Sequence, residues 1–198
     1  MNLLYKTLSS TEPVTREQAK TFLGEAGSHY DDLIDNLITA ARERAELYTN
    51  RSLIEKEVVL MHDRIPLDRM IKLPRCPVKE VTSVKYLNTD DAWETLSTDF
   101  YTVDNAAEPS KVYFKDHVQN LKDGINVVHI TYETGYGNRG VFGTVYQNPF
   151  PEAIKNAILM LVRTMYDNRE DFVKGMIINQ LPQSAEYILN QYRIFEFV

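Results

Sequence analysis

The period of the apolar residues changes twice along this chain, and that double change most narrows the folds open to it. Between Asp31 and Asn50, Leu33, Ile34, Leu37, Ile38, Ala41, Ala45 and Tyr48 recur at three- and four-residue spacing, the pattern of a helix with one buried side. From Leu53 to Thr134 the spacing gives way to short β-branched and aromatic runs separated by turn residues, the pattern of strands. From Pro151 the helical spacing returns through Ile154, Ala157, Ile158, Leu161, Val162, Met165 and Tyr166. Helices, then strands on short connections, then helices again specify an α+β protein with antiparallel pairing. The simplest arrangement is a helical bundle formed by the N- and C-terminal helices, with a small antiparallel β domain inserted between them.

Local signals set the boundaries. Residues 1–14 read as an N-terminal arm. Thr15 and Gln18 form a capping box that opens a short helix, and Gly24 and Gly27 end it. Ser28 or Asp31 opens the second helix. Asp31, Asp32 and Asp35 crowd its first turns, where the helix dipole favours negative charge, and Arg42, Glu43 and Glu46 fall mostly on its polar side. Strands are expected at 57–63, 81–87, 93–96, 100–103, 111–114 and 125–133. The run Leu73-Pro74-Arg75-Cys76-Pro77 is extended, because two prolines exclude a helix interior. Pro151 suits a first helical position. A linker at 174–180 precedes a last helix that begins at Pro182. The expected division is a helical bundle from 15–54 and 150–193, a β domain at 55–135, a flexible loop at 136–149 and an apolar tail at 194–198.

Composition excludes several functions. The chain has 198 residues, 43% of them hydrophobic, which is enough for a real core. Its net charge is −6, and residues 54–135 hold ten basic against fourteen acidic side chains. Non-specific nucleic-acid affinity needs clustered Lys and Arg, so a chain of this kind is not a DNA-wrapping protein. The single cysteine, Cys76, excludes an internal disulfide and any Cys-based zinc site. The first residues do not read as a signal peptide, and no apolar run approaches the about 18 residues of a membrane span. A soluble protein made in the cytoplasm is expected.

Chemistry-bearing motifs are absent or incomplete. Gly135-Tyr136-Gly137-Asn138-Arg139-Gly140 matches the dinucleotide fingerprint in spacing, but no helix opens within it and no βαβ unit surrounds it. His29, His62, His117 and His129 show no metal-ligand spacing. No catalytic, metal or cofactor-binding residue is assigned, and no cofactor is expected. An enzyme reading would have to rest on His117 or His129 with the 135–150 loop. Adhesive surface is more conspicuous: of twelve tyrosines, Tyr187 and Tyr192 lie close to the terminal Phe195 and Phe197, and such residues are enriched in interfaces.

Five ordered segments carry a family resemblance. They are the 31–54 helix ending in Tyr48-Thr49-Asn50-Arg51-Ser52-Leu53-Ile54; the run Leu73-Pro74-Arg75-Cys76-Pro77-Val78-Lys79-Glu80-Val81-Thr82-Ser83-Val84; and Ile130-Thr131-Tyr132-Glu133-Thr134-Gly135-Tyr136-Gly137. The others are Pro151-Glu152-Ala153-Ile154 leading to Tyr166-Asp167-Asn168-Arg169-Glu170, and Leu181-Pro182 leading to Tyr192-Arg193. In this order and spacing, over about residues 15–193, the chain resembles the head–tail connector (adaptor, head-completion) proteins of long-tailed bacteriophages and prophages.

The resemblance implies a structural virion protein of the neck, assembled in the host bacterial cytoplasm, with no enzymatic activity. It implies a ring of about a dozen copies, in which two different surfaces of each subunit meet. Its partners would be the portal protein above and the next neck, stopper or tail protein below. DNA would pass through the channel without specific binding, and no membrane would be involved. Docking to the portal is expected from Tyr192, Arg193, Ile194, Phe195 and Phe197. The alternatives are another neck or tail-completion protein, or a prophage-derived interaction module.

Overall fold

The computed structural model describes residues 2–7, 11–141, 144–168 and 182–195. The protein is mixed α+β, with antiparallel pairing throughout its sheets. The chain forms two compact units. One takes in Met1–Ser10 and Ile54–Pro149; the other takes in Thr11–Leu53 and Phe150–Phe197.

The second unit is helical. It contains α1 (Arg16–Leu23), α2 (Asp31–Thr49), α3 (Glu152–Asp167) and α4 (Gln183–Asn190). The capping box is formed: the Gln18 N–H donates to Thr15 Oγ1, and the Thr15 N–H donates to Gln18 Oε1 at 2.9 Å. Gly24 closes α1 in the left-handed conformation. Ile34, Leu37, Ile38 and Ala41 of α2, Ile154, Ala157, Ile158 and Leu161 of α3, and Ala185 and Leu189 of α4 form its buried core. The acidic start of α2 is used by α1. Arg16 donates through Nε to Asp35 at 2.8 Å, and Lys20 to Asp31 at 2.6 Å. The Arg16 hydrogen bond holds the Asp35 carboxyl below its ordinary range.

Two residues expected on the polar side of α2 lie inside. Arg42 and Glu46 are both buried. The reason is mutual satisfaction. Arg42 donates to Glu46 at 2.8 Å one turn on, and through Nε to Glu12 at 2.8 Å. Glu46 also accepts the Leu53 N–H at 2.7 Å. Burial alone would push the Arg42 pKa down; the Glu12 hydrogen bond and the charges of Glu46, Glu12 and Glu43 outweigh it and raise the pKa. Pro151 also differs from expectation. It stands just before α3 with ψ at 126° rather than in the first helical position.

The first unit carries the strands β1 (Asn2–Thr7), β2 (Lys56–His62), β3 (Met70–Leu73), β4 (Val78–Leu87), β5 (Trp93–Thr95), β6 (Tyr101–Asp104), β7 (Ser110–Phe114), β8 (Val128–Thr134), β9 (Gly137–Val141) and β10 (Thr144–Asn148). They form a five-stranded sheet in the order β1-β2-β8-β4-β5, a three-stranded sheet β3-β7-β6 and a two-stranded ribbon β9-β10. Val58, Leu60, Val84, Ile130 and Tyr132 are buried on one face of the larger sheet, as are Ile71, Leu73, Val112 and Phe114 of the smaller. Between them in sequence stand residues that face outward, the alternation of a half-buried strand.

Three expectations for this unit are corrected. The β part is not small, since it holds ten strands among the described residues. The first described residues are not a loose arm: Asn2–Thr7 pairs with residues 56–61 of β2. A lone six-residue segment has too little pattern to declare itself, and here it takes up backbone groups that β2 would otherwise leave unpaired. The expected flexible loop at 136–149 is largely a hairpin of β9 and β10. Gly137, the first residue of β9, adopts φ 129°, a backbone conformation that favours glycine. The linker at 174–180 lies outside the described residues.

Where β8 ends, the chain is tightly held. Tyr132 donates its hydroxyl to the Pro74 carbonyl at 2.8 Å, and Thr134 Oγ1 donates to the Pro77 carbonyl at 2.8 Å. Gly135 then adopts φ 118°, and a Cβ there would stand 2.6 Å from the Ile54 carbonyl oxygen.

Two substitutions test these readings by urea unfolding. Gly135→Ala combines a disfavoured backbone region with a backbone clash and should cost ~1–3 kcal/mol or more. Arg42→Ala leaves the Glu46 carboxylate buried without its cation and should cost ~3–5 kcal/mol. By contrast, Glu43→Ala, at the exposed end of the same cluster, should change the midpoint little.

Candidate docking surface

The C-terminal segment is built onto the end of α2. Asn50 turns the chain in the left-handed conformation at φ 56°. The carbonyls of a helix's last turn need partners, and here the returning chain supplies one. The Ile194 N–H donates to the Thr49 carbonyl at 2.9 Å. Asn50 Nδ2 donates back to the Ile194 carbonyl at 2.9 Å, and Arg51 Nε to the Tyr192 carbonyl at 2.6 Å. The Ile194 side chain is buried. Of the five residues expected to dock, Ile194 and the Tyr192 backbone are therefore committed within their own unit.

Arg193 and Phe195 face outward. The Arg193 guanidinium lies over the Tyr48 ring at 5.1 Å and over the Phe195 ring at 5.2 Å. Such stacking restrains a long side chain against the ring faces. The Tyr48 hydroxyl donates to Glu186 at 3.3 Å, which ties the last turn of α2 to α4. Next in sequence to these two residues are Leu47 and Tyr187, exposed to 70% and 74%; Phe195 is exposed to 59%. An arginine stacked between Tyr48 and the exposed Phe195 has the composition of an interface hot spot. Phe197 lies outside the described residues.

The sequence reading missed Leu47 and placed Tyr48 in the buried stripe. Leu47 sits out of phase with the Leu37–Ala41–Ala45 face, and a leucine out of phase on an amphipathic helix is a signal that could have been used.

The histidines occupy separate places. His129 stacks on Trp93 of β5 at 4.2 Å, and burial lowers its pKa, with Lys85 adding to the effect. Burial also lowers that of His62. His117 is exposed beside Asp116, whose carboxylate accepts the His117 backbone N–H at 2.7 Å. His29 meets Tyr30 edge to face. Among the described residues, no group of three His, Cys, Asp or Glu side chains is placed to hold a metal ion, and no helix is long and apolar enough to cross a membrane. The glycine motif at 135–140 runs into β9 rather than a helix, so it lacks the helix N-terminus that a pyrophosphate site requires.

Comparison with known proteins places this arrangement. No curated protein sequence matches the chain. Three solved structures share its fold from end to end. The first is a chain from the virion of a native gene transfer agent (GTA) particle, with a TM-score of 0.72 and 16% identity, covering 100% of this chain and 98% of that one. A chain from the neck of an empty GTA particle, computed with C6 symmetry, gives 0.69 and 16% at the same coverage. A chain from the neck of a native GTA particle, computed with C12 symmetry, gives 0.66 and 18%, again at that coverage. The family model for head completion proteins matches residues 12–195. The chain belongs to the head completion protein family.

Proposed function

We propose that this protein is a structural head–tail connector of a phage-like particle, present in the neck as a ring and without catalytic activity. The observation that carries this reading is family membership over residues 12–195. A fold shared over its full length with chains of GTA necks supports it. Those necks were computed with sixfold and twelvefold symmetry, which is the basis for proposing a ring here. A closed ring of like subunits needs heterologous contacts, in which two different surfaces meet. The neighbours are the portal protein on one side and the next neck or tail protein on the other.

Within that role, the helical unit is a bundle of the segments on either side of 54–149, with β1 joining the β unit from the N-terminal side, and the two units divide the contacts. Portal docking falls to the C-terminal segment. Arg193 and Phe195 supply the contact surface. Tyr192 and Ile194 hold that surface to α2 through their backbone hydrogen bonds, and Phe197 is proposed to contact the portal with them. The net charge of −6 suits a channel that DNA slides through without being gripped, because phosphate contacts by Lys and Arg are what slow it.

Quantitative mass spectrometry of purified particles tests the placement. This chain should be present at a copy number close to that of the portal protein, and its absence from particles that contain portal and capsid would refute the reading. The docking surface is tested separately. The double variant Arg193→Ala/Phe195→Ala should weaken portal binding by roughly 10- to 100-fold and leave the unfolding midpoint nearly unchanged. Ile194→Ala should do the reverse, lowering the midpoint by the cost of a buried truncation, ~2–5 kcal/mol.

A further inference from the structure

The strand registers place two rows of charge on the outward faces of the two sheets in the β unit. On the five-stranded sheet, Lys6 of β1 stands opposite Glu57 of β2, Glu57 opposite Glu133 of β8, and Glu133 opposite Glu80 of β4. Read across the strands, the row is positive, negative, negative, negative. On the three-stranded sheet, Asp104 of β6 stands opposite Lys111 of β7, and Lys111 opposite Lys72 of β3. That row is negative, positive, positive.

Like charges directly opposite on neighbouring strands are unfavourable, and the chain keeps three such pairs: Glu57 with Glu133, Glu133 with Glu80, and Lys72 with Lys111. Among the described residues, none of these three carboxylates and neither lysine has an ion-pair partner. Asp104 is engaged only locally, accepting the N–H groups of Ala106 and Ala107 at 3.2 Å. Glu57, Glu133, Lys111 and Lys72 alternate with buried residues along their strands, and Glu80, exposed, and Asp104, half-buried, stand opposite Glu133 and Lys111, so each row faces away from the core of its sheet.

We propose that these two rows are the two halves of the contact between neighbouring copies in the ring, the acidic row of one subunit lying against the basic row of the next. The occupant is a second copy of this chain, and the argument is charge complementarity in order as well as in sign. Laid face to face, Lys6 meets Asp104, Glu57 meets Lys111, and Glu133 meets Lys72, with Glu80 adding negative charge beside Lys72. Both rows advance one residue per strand, at the same spacing of about 4.8 Å, so the match holds along their length. The pairing is head to tail by construction, because the rows lie on different sheets. It also removes the like-charge repulsion that each subunit carries alone. Contacts of this kind set register and suppress wrong pairings more than they add affinity.

The inference rests on the ring proposed above, and charge reversal in particles tests the two separately. The variants are Glu57→Lys with Glu133→Lys, Lys72→Glu with Lys111→Glu, and all four together; copies of this chain per particle are counted by mass spectrometry. Each double variant should lose incorporation by at least about tenfold, and the fourfold variant, whose rows are again complementary, should regain at least about half of the wild-type level. Circular dichroism of the purified chains should show unchanged folding. If a reversal fails to fold, Glu57→Gln with Glu133→Gln takes its place, with a loss of several-fold expected. Double variants that incorporate as wild type, or a fourfold variant that fails to recover, overturn the pairing of these faces and leave the ring standing. Wild-type chain absent from particles, or present at one copy, overturns the ring itself.

Discussion

Arg42 is sealed inside the helical unit, and the arrangement of that unit depends on what surrounds it. Its guanidinium reaches Glu12 on one side and Glu46 on the other, and Glu46 in turn holds the Leu53 backbone N–H. Glu12 lies just after the point where the chain enters this unit, and Leu53 just before it leaves. One charged network therefore fixes both ends of the N-terminal helical segment to the same turns of α2. Thr39 adds a hydrogen bond to Glu12 at 3.1 Å. A buried ion pair gains little over an apolar pair of equal volume, because desolvation offsets the Coulomb attraction. What it adds is geometry: an apolar substitute could slide, whereas a guanidinium with three carboxylates around it has few acceptable positions.

The same principle of using one end to hold another recurs at the foot of α2. The last turn leaves carbonyls without partners, and the returning C-terminal segment supplies an N–H to one of them. The cost of ordering a terminal segment is offset by burial of Ile194. The outcome is a surface whose scaffold is rigid and whose exposed groups are a stacked arginine and large apolar side chains. Such a surface loses little conformational entropy on binding, which is the condition for a small contact to be effective.

Much of the fold was legible in residue spacing. The helical faces of α2 and α3 and the capping box of Thr15 and Gln18 follow from local chemistry, and the structure contains each of them. β1 and the β9–β10 ribbon were not legible, for a common reason. Asn2–Thr7 is too short to show a period, and the 137–148 region is too rich in glycine and asparagine to look like a strand. Both are strands because a neighbouring backbone needs their hydrogen bonds, and that need is a property of the assembled sheet. The C-terminal segment was legible only in part: Tyr192, Arg193, Ile194 and Phe195 stand out in the sequence, but the sequence does not divide them into those that hold the segment to α2 and those that face outward.

The sequence by itself determined the order of elements, the α+β class and the family, because hydrophobic period, caps and ordered motifs act over a few residues and survive without a fold. Only the tertiary structure decided which charged residues are buried and which outward charges align. Arg42 and Glu46 look like solvent-facing polar residues on a helical wheel, until Glu12, thirty residues before Arg42, is brought against them. Glu57, Glu80 and Glu133 are far apart in the chain and become one row only when β2, β8 and β4 are paired in register. The physical reason is the same in both cases. The energy of a charge depends on its distance from other charges and from water, and those distances are set by contacts between segments that sequence spacing does not encode.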